Sequence, residues 1–185
     1  MTPHPPAVPV DERAAIGQSG AGPQRVVVEV LVCGSPDRAD DGAPSVAARM
    51  IGDHLSGDAR VRIVGQLDID DLLAIPAGAA VVIVDAATGL RPGQVVDLPL
   101  TGVIGGQGRV RPRSSHALAF AEVLGLAELI RGRPVCGRIV AIGAVEFSLG
   151  AGLSRPVAAA MPALIQAIRG VIEQVAGMVP IEERF

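Results

Sequence analysis

The sequence predicts an α/β protein, a three-layer α/β/α sandwich on a mostly parallel, twisted sheet of five strands. Short runs rich in Val, Ile and Leu alternate with longer stretches of helical periodicity, the pattern of a parallel sheet covered by helices. The run at residues 26–33 is apolar at nearly every position, as expected of a central strand that is covered on both faces. Carboxylates follow two of these runs, which favours a functional site at one edge of the sheet.

The predicted elements follow one another with short connections. Asp68 is expected to cap a short helix, and Ser154 is expected to cap the last one, which Pro162 should kink or divide. The glycine-rich residues 101–111 fit either a loop or an edge hairpin. The predicted strands are residues 26–33, 61–67, 79–87, 93–100 and 138–142, and the predicted helices are 45–51 (with Val46, Ala47, Met50 and Ile51 on one face), 69–75, 114–130 (apolar at Leu118, Ala121, Leu124 and Leu129) and 154–176.

A length of 185 residues suits one well-cored domain. We expect a disordered tail rich in Pro, Gly and Ala at residues 1–24, one domain at 25–179 and a loose end at 180–185. The first segment has no cationic start and no apolar h-region, unlike a signal peptide. No apolar run approaches the ~20 residues of a membrane span. The sequence therefore predicts a cytoplasmic protein with no membrane partner, and we expect a monomer.

The composition argues against nucleotide and nucleic-acid binding. The net charge is −3 and aromatic residues make up 2% of the chain, so neither a basic patch nor a stacking platform is expected. The sequence contains no lysine and no Gly-x-Gly-x-x-Gly, which excludes a P-loop and the dinucleotide fingerprint. The two cysteines, Cys33 and Cys136, each fall in a predicted strand, so we expect buried, inert thiols rather than a disulfide.

Three side chains are expected to meet at the carboxyl edge of the sheet. Asp41 follows the first strand, Asp85 ends the third, and His116 opens a helix after a loop. Two carboxylates and an imidazole suit a divalent transition metal with open positions. Asp85 is the most informative of them, because a carboxylate beside a buried strand costs free energy unless it is paired or ligated.

Simpler roles remain open for each of these residues. Asp40 and Asp41 precede a helix, where aspartate is a preferred N-cap and its charge interacts favourably with the helix dipole. Asp85 can instead cap the turn that follows it or accept hydrogen bonds from backbone N–H groups. His116, beside two serines, can be a solvated residue at a helix N-terminus.

The order of the motifs VLVCGSPDRADDG, VVIVDA, SSHALAFAEVL, RIVAIGAVEF and LSRPV resembles that of the hydrogenase maturation proteases, over about residues 26–176. These endopeptidases remove the C-terminal extension of the [NiFe]-hydrogenase large-subunit precursor. The resemblance implies a phosphorylase/hydrolase-type fold and a nickel ion that arrives in the substrate's own cysteine site. It places Asp41, Asp85 and His116 at the family's metal-binding positions, where they would sense that nickel and take part in catalysis.

The sequence departs from the family pattern at three places. Gly34-Ser35 replaces Gly-Asn, residues 66–69 replace a Gly-Thr-x-Gly segment, and Phe147 replaces a proline. Because these changes bear on substrate fit, they leave open a non-cleaving accessory protein that checks nickel insertion. A different hydrolase or a nucleoside phosphorylase on a related sheet is a further alternative. It would need an anion pocket, for which residues 109–113 hold the candidate arginines.

Removal of the residues before Pro23 should leave the melting temperature nearly unchanged, because this stretch lacks the periodicity needed to bury apolar area. Thermal unfolding of the full chain and the truncated chain, followed by circular dichroism, measures the difference. A drop of more than a few degrees would show that the segment packs on the domain.

Overall fold

The computed structural model describes residues 28–52, 59–104 and 120–178. Within these ranges the chain forms one five-stranded sheet, five α-helices and a 3-10 turn at Ala39–Gly42. The strands are β1 (Val28–Cys33), β2 (Ala59–Gly65), β3 (Ala80–Ala87), β4 (Val95–Pro99) and β5 (Gly137–Gly143), and the helices are α1 (Ala43–Ile51), α2 (Ile69–Leu73), α3 (Leu100–Ile104), α4 (Phe120–Arg131) and α5 (Arg155–Met178).

The sheet has the order β2-β1-β3-β5-β4. Strands β2, β1, β3 and β5 are parallel to their neighbours, and β4 pairs with β5 in the antiparallel direction at one edge. The prediction of a mostly parallel five-stranded sheet between helical layers is therefore confirmed. In β1 all six residues are buried, as predicted for a run that is apolar at nearly every position and covered on both faces.

Side chains that alternate along the strands build one apolar core on each face of the sheet. The first core packs β1, β3 and β5 against α1 and α5, and the second packs them against α2, α3 and α4. Fully buried members of the first core are Val28, Val82, Val140, Ile142, Val157 and Leu164, and those of the second are Leu31, Leu72, Val81, Ile83, Leu100 and Leu124.

Helix α1 turns a face of small residues toward the sheet. Ala43, Ala47 and Ile51 recur every four residues and are buried, whereas Met50 is 60% exposed. The predicted apolar face was therefore wrong for Met50, although Val46 packs at the margin of the core. Small residues at a four-residue spacing let the helix lie close to the sheet.

The short helices differ in how well the sequence anticipated them. Asp68 caps α2 as predicted, in a reciprocal capping box with Asp71. In contrast, Leu100–Ile104 is a helix where a loop or hairpin was expected. In α4 the buried residues include Phe120, Val123, Leu124 and Ala127, while Leu129 is 77% exposed, against its predicted place on the apolar face.

Helix α5 runs from Arg155 to Met178 without a break. Of the two effects predicted for Pro162, a kink or a division, division of the helix was wrong. Pro162 lies on the exposed side, where water can satisfy the carbonyl that the missing N–H leaves unpaired. No helix within the described ranges is both long and apolar enough to cross a bilayer.

The two cysteines are free, and their environments differ. Cys33 is buried at the end of β1, as predicted. Cys136 is exposed, because β5 begins one residue later at Gly137, so its predicted burial inside a strand was wrong.

Ion pairs fix both sides of the sheet. Arg138 on β5 donates two hydrogen bonds to Asp97 on β4, at 2.7 and 2.9 Å, a bidentate arrangement that sets the antiparallel register. Glu29 is 2% exposed within β1 and accepts from Arg60 on β2 at 3.1 Å, with the Arg62 guanidinium 3.7 Å away. The buried carboxylate is therefore paired, as burial of a charge requires.

Gly137→Ala should destabilise the domain by about 1–3 kcal/mol or more, because the added methyl would lie 1.9 Å from the Val81 carbonyl oxygen of the neighbouring strand. Gly125→Ala in α4 is the matched control. A Cβ there meets nothing within 4 Å, and alanine should raise helix stability by about 0.5–1 kcal/mol. Urea unfolding of both variants measures the free energies, and similar effects of the two substitutions would contradict the packing at Gly137.

Candidate active site

The candidate site lies at the carboxyl edge of the sheet, between β1 and β3. From β1 the chain passes to β2 on one side, while β3 and β5 lie on the other, so the strand order reverses at this point. In open α/β sheets, ligands bind in the crevice outside such a reversal. Cys33 is the last residue of β1. Asp85 follows Val84, which is in register with Val32, so Asp85 lies level with the end of β1.

The turn after β1 folds back on itself, so that Asp41 lies beside the residues that end the strand. Gly34 has a φ of +92°, and a Cβ on it would lie 2.1 Å from the Asp41 carbonyl oxygen. Only glycine allows both this conformation and this approach. The Ser35 amide donates to Asp41 Oδ2 at 2.8 Å, which fixes the carboxylate beside the turn.

The capping interpretation of Asp40 and Asp41 was wrong. The residue before α1 is Gly42, and no side chain caps that helix or the 3-10 turn before it. The two adjacent carboxylates instead have separate partners. Asp41 is bound by the Ser35 amide, and Asp40 by a segment more than 100 residues further along the chain.

Asp40 is fully buried and accepts several hydrogen bonds from the segment that follows β5. Its Oδ2 accepts from the amides of Val145 and Glu146, each at 3.0 Å, and from the Ser154 hydroxyl at 2.9 Å. Its Oδ1 accepts from the Ser154 amide at 2.7 Å. Burial alone would raise the pKa of Asp40, but these donors outweigh it and hold the pKa below its usual value.

Ser154 takes a role that the sequence did not predict. It directly precedes α5, as expected of a cap, but its hydroxyl donates to Asp40. Sequence reasoning treated Asp40 only as a possible cap and missed this anchor. The available signal was the pair of consecutive aspartates, since one cap accounts for only one of them.

Asp85 is the most perturbed carboxyl of the site. Burial, partly offset by a hydrogen bond from the Ala86 amide at 2.8 Å and reinforced by the charge of Asp41, raises its pKa to about 7. Asp41 is close enough to Asp85 for its charge to act on that carboxyl. A carboxyl that titrates near neutral pH can accept and return a proton during catalysis.

The Cys33 thiol lies near the same carboxylates but is unsuited to nucleophilic chemistry. Burial, followed by the charges of Asp85, Asp71 and Asp41, raises its pKa well above the usual value. The thiolate is the reactive form, so Cys33 remains a protonated, inert thiol, as the sequence predicted.

His116 lies outside the residues that the structure describes. Across residues 28–52, 59–104 and 120–178, no group of three His, Cys, Asp or Glu residues is placed to hold a metal ion. The direction of α4 follows from the contacts at its carboxyl end. Arg131, at the carboxyl end of α4, donates to the carbonyls of Leu72 and Ile75, just before β3 begins. The amino end at Phe120, four residues after His116, therefore points toward the carboxyl edge of the sheet.

Comparisons with known proteins agree on one family. The family model for hydrogenase maturation protease (HycI) matches residues 63–171, which is more than half of the chain. This range includes Asp85 and His116 and begins after Asp41. No match is found among curated proteins.

Solved structures of similar shape carry the same description. A [NiFe] hydrogenase maturation protease HybD from Thermococcus kodakarensis is 27% identical with a TM-score of 0.63, over 82% of this chain and 99% of that one. The hydrogenase maturating endopeptidase HybD from E. coli is 18% identical with a TM-score of 0.67, over 80% and 93%. The endopeptidase HycI from Escherichia coli is 21% identical with a TM-score of 0.58, over 86% and 100%.

Asp85→Asn should stabilise the protein at neutral and alkaline pH. The folded pKa of about 7 lies above the ordinary 3.8, so the contribution of Asp85 to stability is fully present below about pH 4 and is lost as the pH rises through 7. The variant should therefore melt several degrees above wild type at pH 8 and close to wild type at pH 4. Differential scanning calorimetry at a series of pH values measures the difference. A lower melting temperature of the variant at pH 8 would contradict the assigned environment.

Proposed function

Because this chain belongs to the hydrogenase maturation protease family and is therefore an endopeptidase, we propose that it removes the C-terminal extension of a [NiFe]-hydrogenase large-subunit precursor after nickel insertion. The observation that carries the proposal is the pair Asp41 and Asp85. The two carboxylates lie at the strand-order reversal, and the charge of one raises the pKa of the other.

Nickel enters this proposal as part of the substrate. Asp41, Asp85 and His116 would supply oxygen and nitrogen ligands to a nickel ion that the precursor already holds. Such ligands suit divalent transition metals. The charge of Asp41, which raises the pKa of Asp85, supports the idea, since a cation near two carboxylates offsets their mutual repulsion. A precursor without nickel would gain no such stabilisation and would dock weakly.

The chemical step that fits these residues is hydrolysis of one peptide bond by water. Asp85, with a pKa of about 7, is suited to take a proton from the attacking water as its oxygen bonds to the carbonyl carbon. Returning that proton to the departing nitrogen completes cleavage of the C–N bond. The products are a shortened large subunit with a new carboxylate and a released peptide with a new amine.

Other nucleophiles in the described residues suit this reaction less well. Burial keeps the Cys33 thiol protonated. Ser35 offers its backbone amide to Asp41, and Ser154 donates its hydroxyl to Asp40. Activated water is the nucleophile that the carboxylates favour.

Asp41→Asn, Asp85→Asn and His116→Ala should each lower the cleavage rate of a nickel-loaded precursor by at least ~100-fold, since each removes a ligand or the base. Asparagine keeps the shape of aspartate without its charge, so the folded structure should persist. Mass spectrometry of the purified precursor after incubation measures the loss of the extension.

Glu173→Gln serves as the control, because it removes a carboxylate from the exposed side of α5. This variant should cut at the wild-type rate, and nickel-free precursor should stay intact with every variant. Wild-type protein that binds the loaded precursor but never cuts it would instead identify a nickel-checking accessory protein. Wild-type rates in the Asp and His variants would exclude these residues from the chemistry.

A further inference from the structure

Asp40 stands out as a buried carboxylate to which the proposed chemistry assigns no role. It is 0% exposed and next to Asp41 in the chain, and its carboxylate is bound by the segment after β5. The amides of Val145, Glu146 and Ser154 and the Ser154 hydroxyl donate to it at 2.7–3.0 Å. Hydrogen bonds to an ionised acceptor are stronger than those between neutral groups.

Main-chain hydrogen bonds join the same two segments. The Asp40 amide donates to the Glu146 carbonyl at 3.0 Å, and the Gly150 amide donates to the Asp37 carbonyl at 2.8 Å. The turn that carries Asp41 is therefore clamped to the segment after β5 through both its side chain and its backbone.

The backbone of the turn is unfavourable without that clamp. Ala39, directly before Asp40, has a φ of +41°. This is the left-handed region, in which the Cβ of alanine crowds the following carbonyl oxygen. A residue holds such a conformation only when its surroundings impose it. The hydrogen bonds to Asp40 are among the contacts that hold the turn in this conformation.

We propose that Asp40 is a positioning residue, which holds the strained turn against the segment after β5 so that Asp41 stays in place at the end of β1. The inference rests on the proposed function for its catalytic consequence. Asp40 does not itself reach the crevice. Its effect on the reaction passes through the backbone of residues 39–41 to the carboxylate of Asp41.

The Ser35 amide reports the position of Asp41 without any measurement of activity. It donates to Asp41 Oδ2 at 2.8 Å, a hydrogen bond that does not involve the Asp40 side chain. In Asp40→Asn, an amide group faces donors that need an acceptor, so the clamp should weaken and the turn should relax. The hydrogen exchange of the Ser35 amide, followed by NMR, should then speed up at least ~10-fold as its bond to Asp41 is lost.

The second measurement is the cleavage kinetics of the Asp40→Asn variant. Displacement of a group by about 1 Å can cost ~100-fold in rate. We therefore expect kcat on the nickel-loaded precursor to fall at least 10-fold in Asp40→Asn, with KM changed by less than about threefold. Ile172→Ala is the matched control, because it destabilises the first core near the far end of α5. It should leave the Ser35 amide and kcat unchanged.

Ser154→Ala provides a milder variant that removes only the hydroxyl bond to Asp40. It should move the Ser35 exchange and kcat in the same direction by less, and it decides the question if Asp40→Asn does not fold. An unaltered Ser35 amide in folded variants at position 40 or 154 would overturn the inference. Absence of cleavage by wild type would count against the proposed function alone, since the exchange data would still decide the role of Asp40.

Discussion

Burial of β1 and β3 on both faces is the constraint that governs this structure. A strand covered on both sides can carry polar side chains in its interior only if each is paired, and Glu29 with its two arginines is the example in β1. Other polar groups are displaced to the strand ends. The carboxylates of the candidate site lie at the ends of the strands, because an unpaired carboxylate inside a strand that is buried on both faces would cost too much free energy.

The local pattern of apolar and polar residues was sufficient to predict much of the fold. The apolar runs and helical periodicities located the five strands and four of the helices, since each signal is contained in a few neighbouring residues. The failures concern contacts made at a distance. Met50 and Leu129 were assigned to buried helix faces, but both side chains are exposed. Cys136 lies just before the strand in which it was predicted. Pro162 remained inside α5 because that side of the helix faces solvent.

The sequence predicted the roles of the candidate site residues to different extents. Asp85 could be chosen from sequence because a carboxylate at the end of VVIV is conspicuous, and its raised pKa agrees with that choice. The roles of Asp40 and Asp41 could not be separated, since two adjacent identical residues look alike. The distinction comes from donors 105 to 114 residues away. The role of His116 stays a prediction, and so do the roles of Asp41 and Asp85 in catalysis.

The open sheet has two edge strands, β2 and β4, and residues on both oppose the addition of another chain. Almost half of the chain is hydrophobic, and an exposed strand of such a protein can template the addition of another chain. β2 carries Arg60 and Arg62, whose charges would have to be desolvated if another β-strand were added beside it. β4 ends at Pro99, which has no backbone N–H to donate to an added strand. The arginines that pair with Glu29 thus also place charge on the strand at which another chain would have to add.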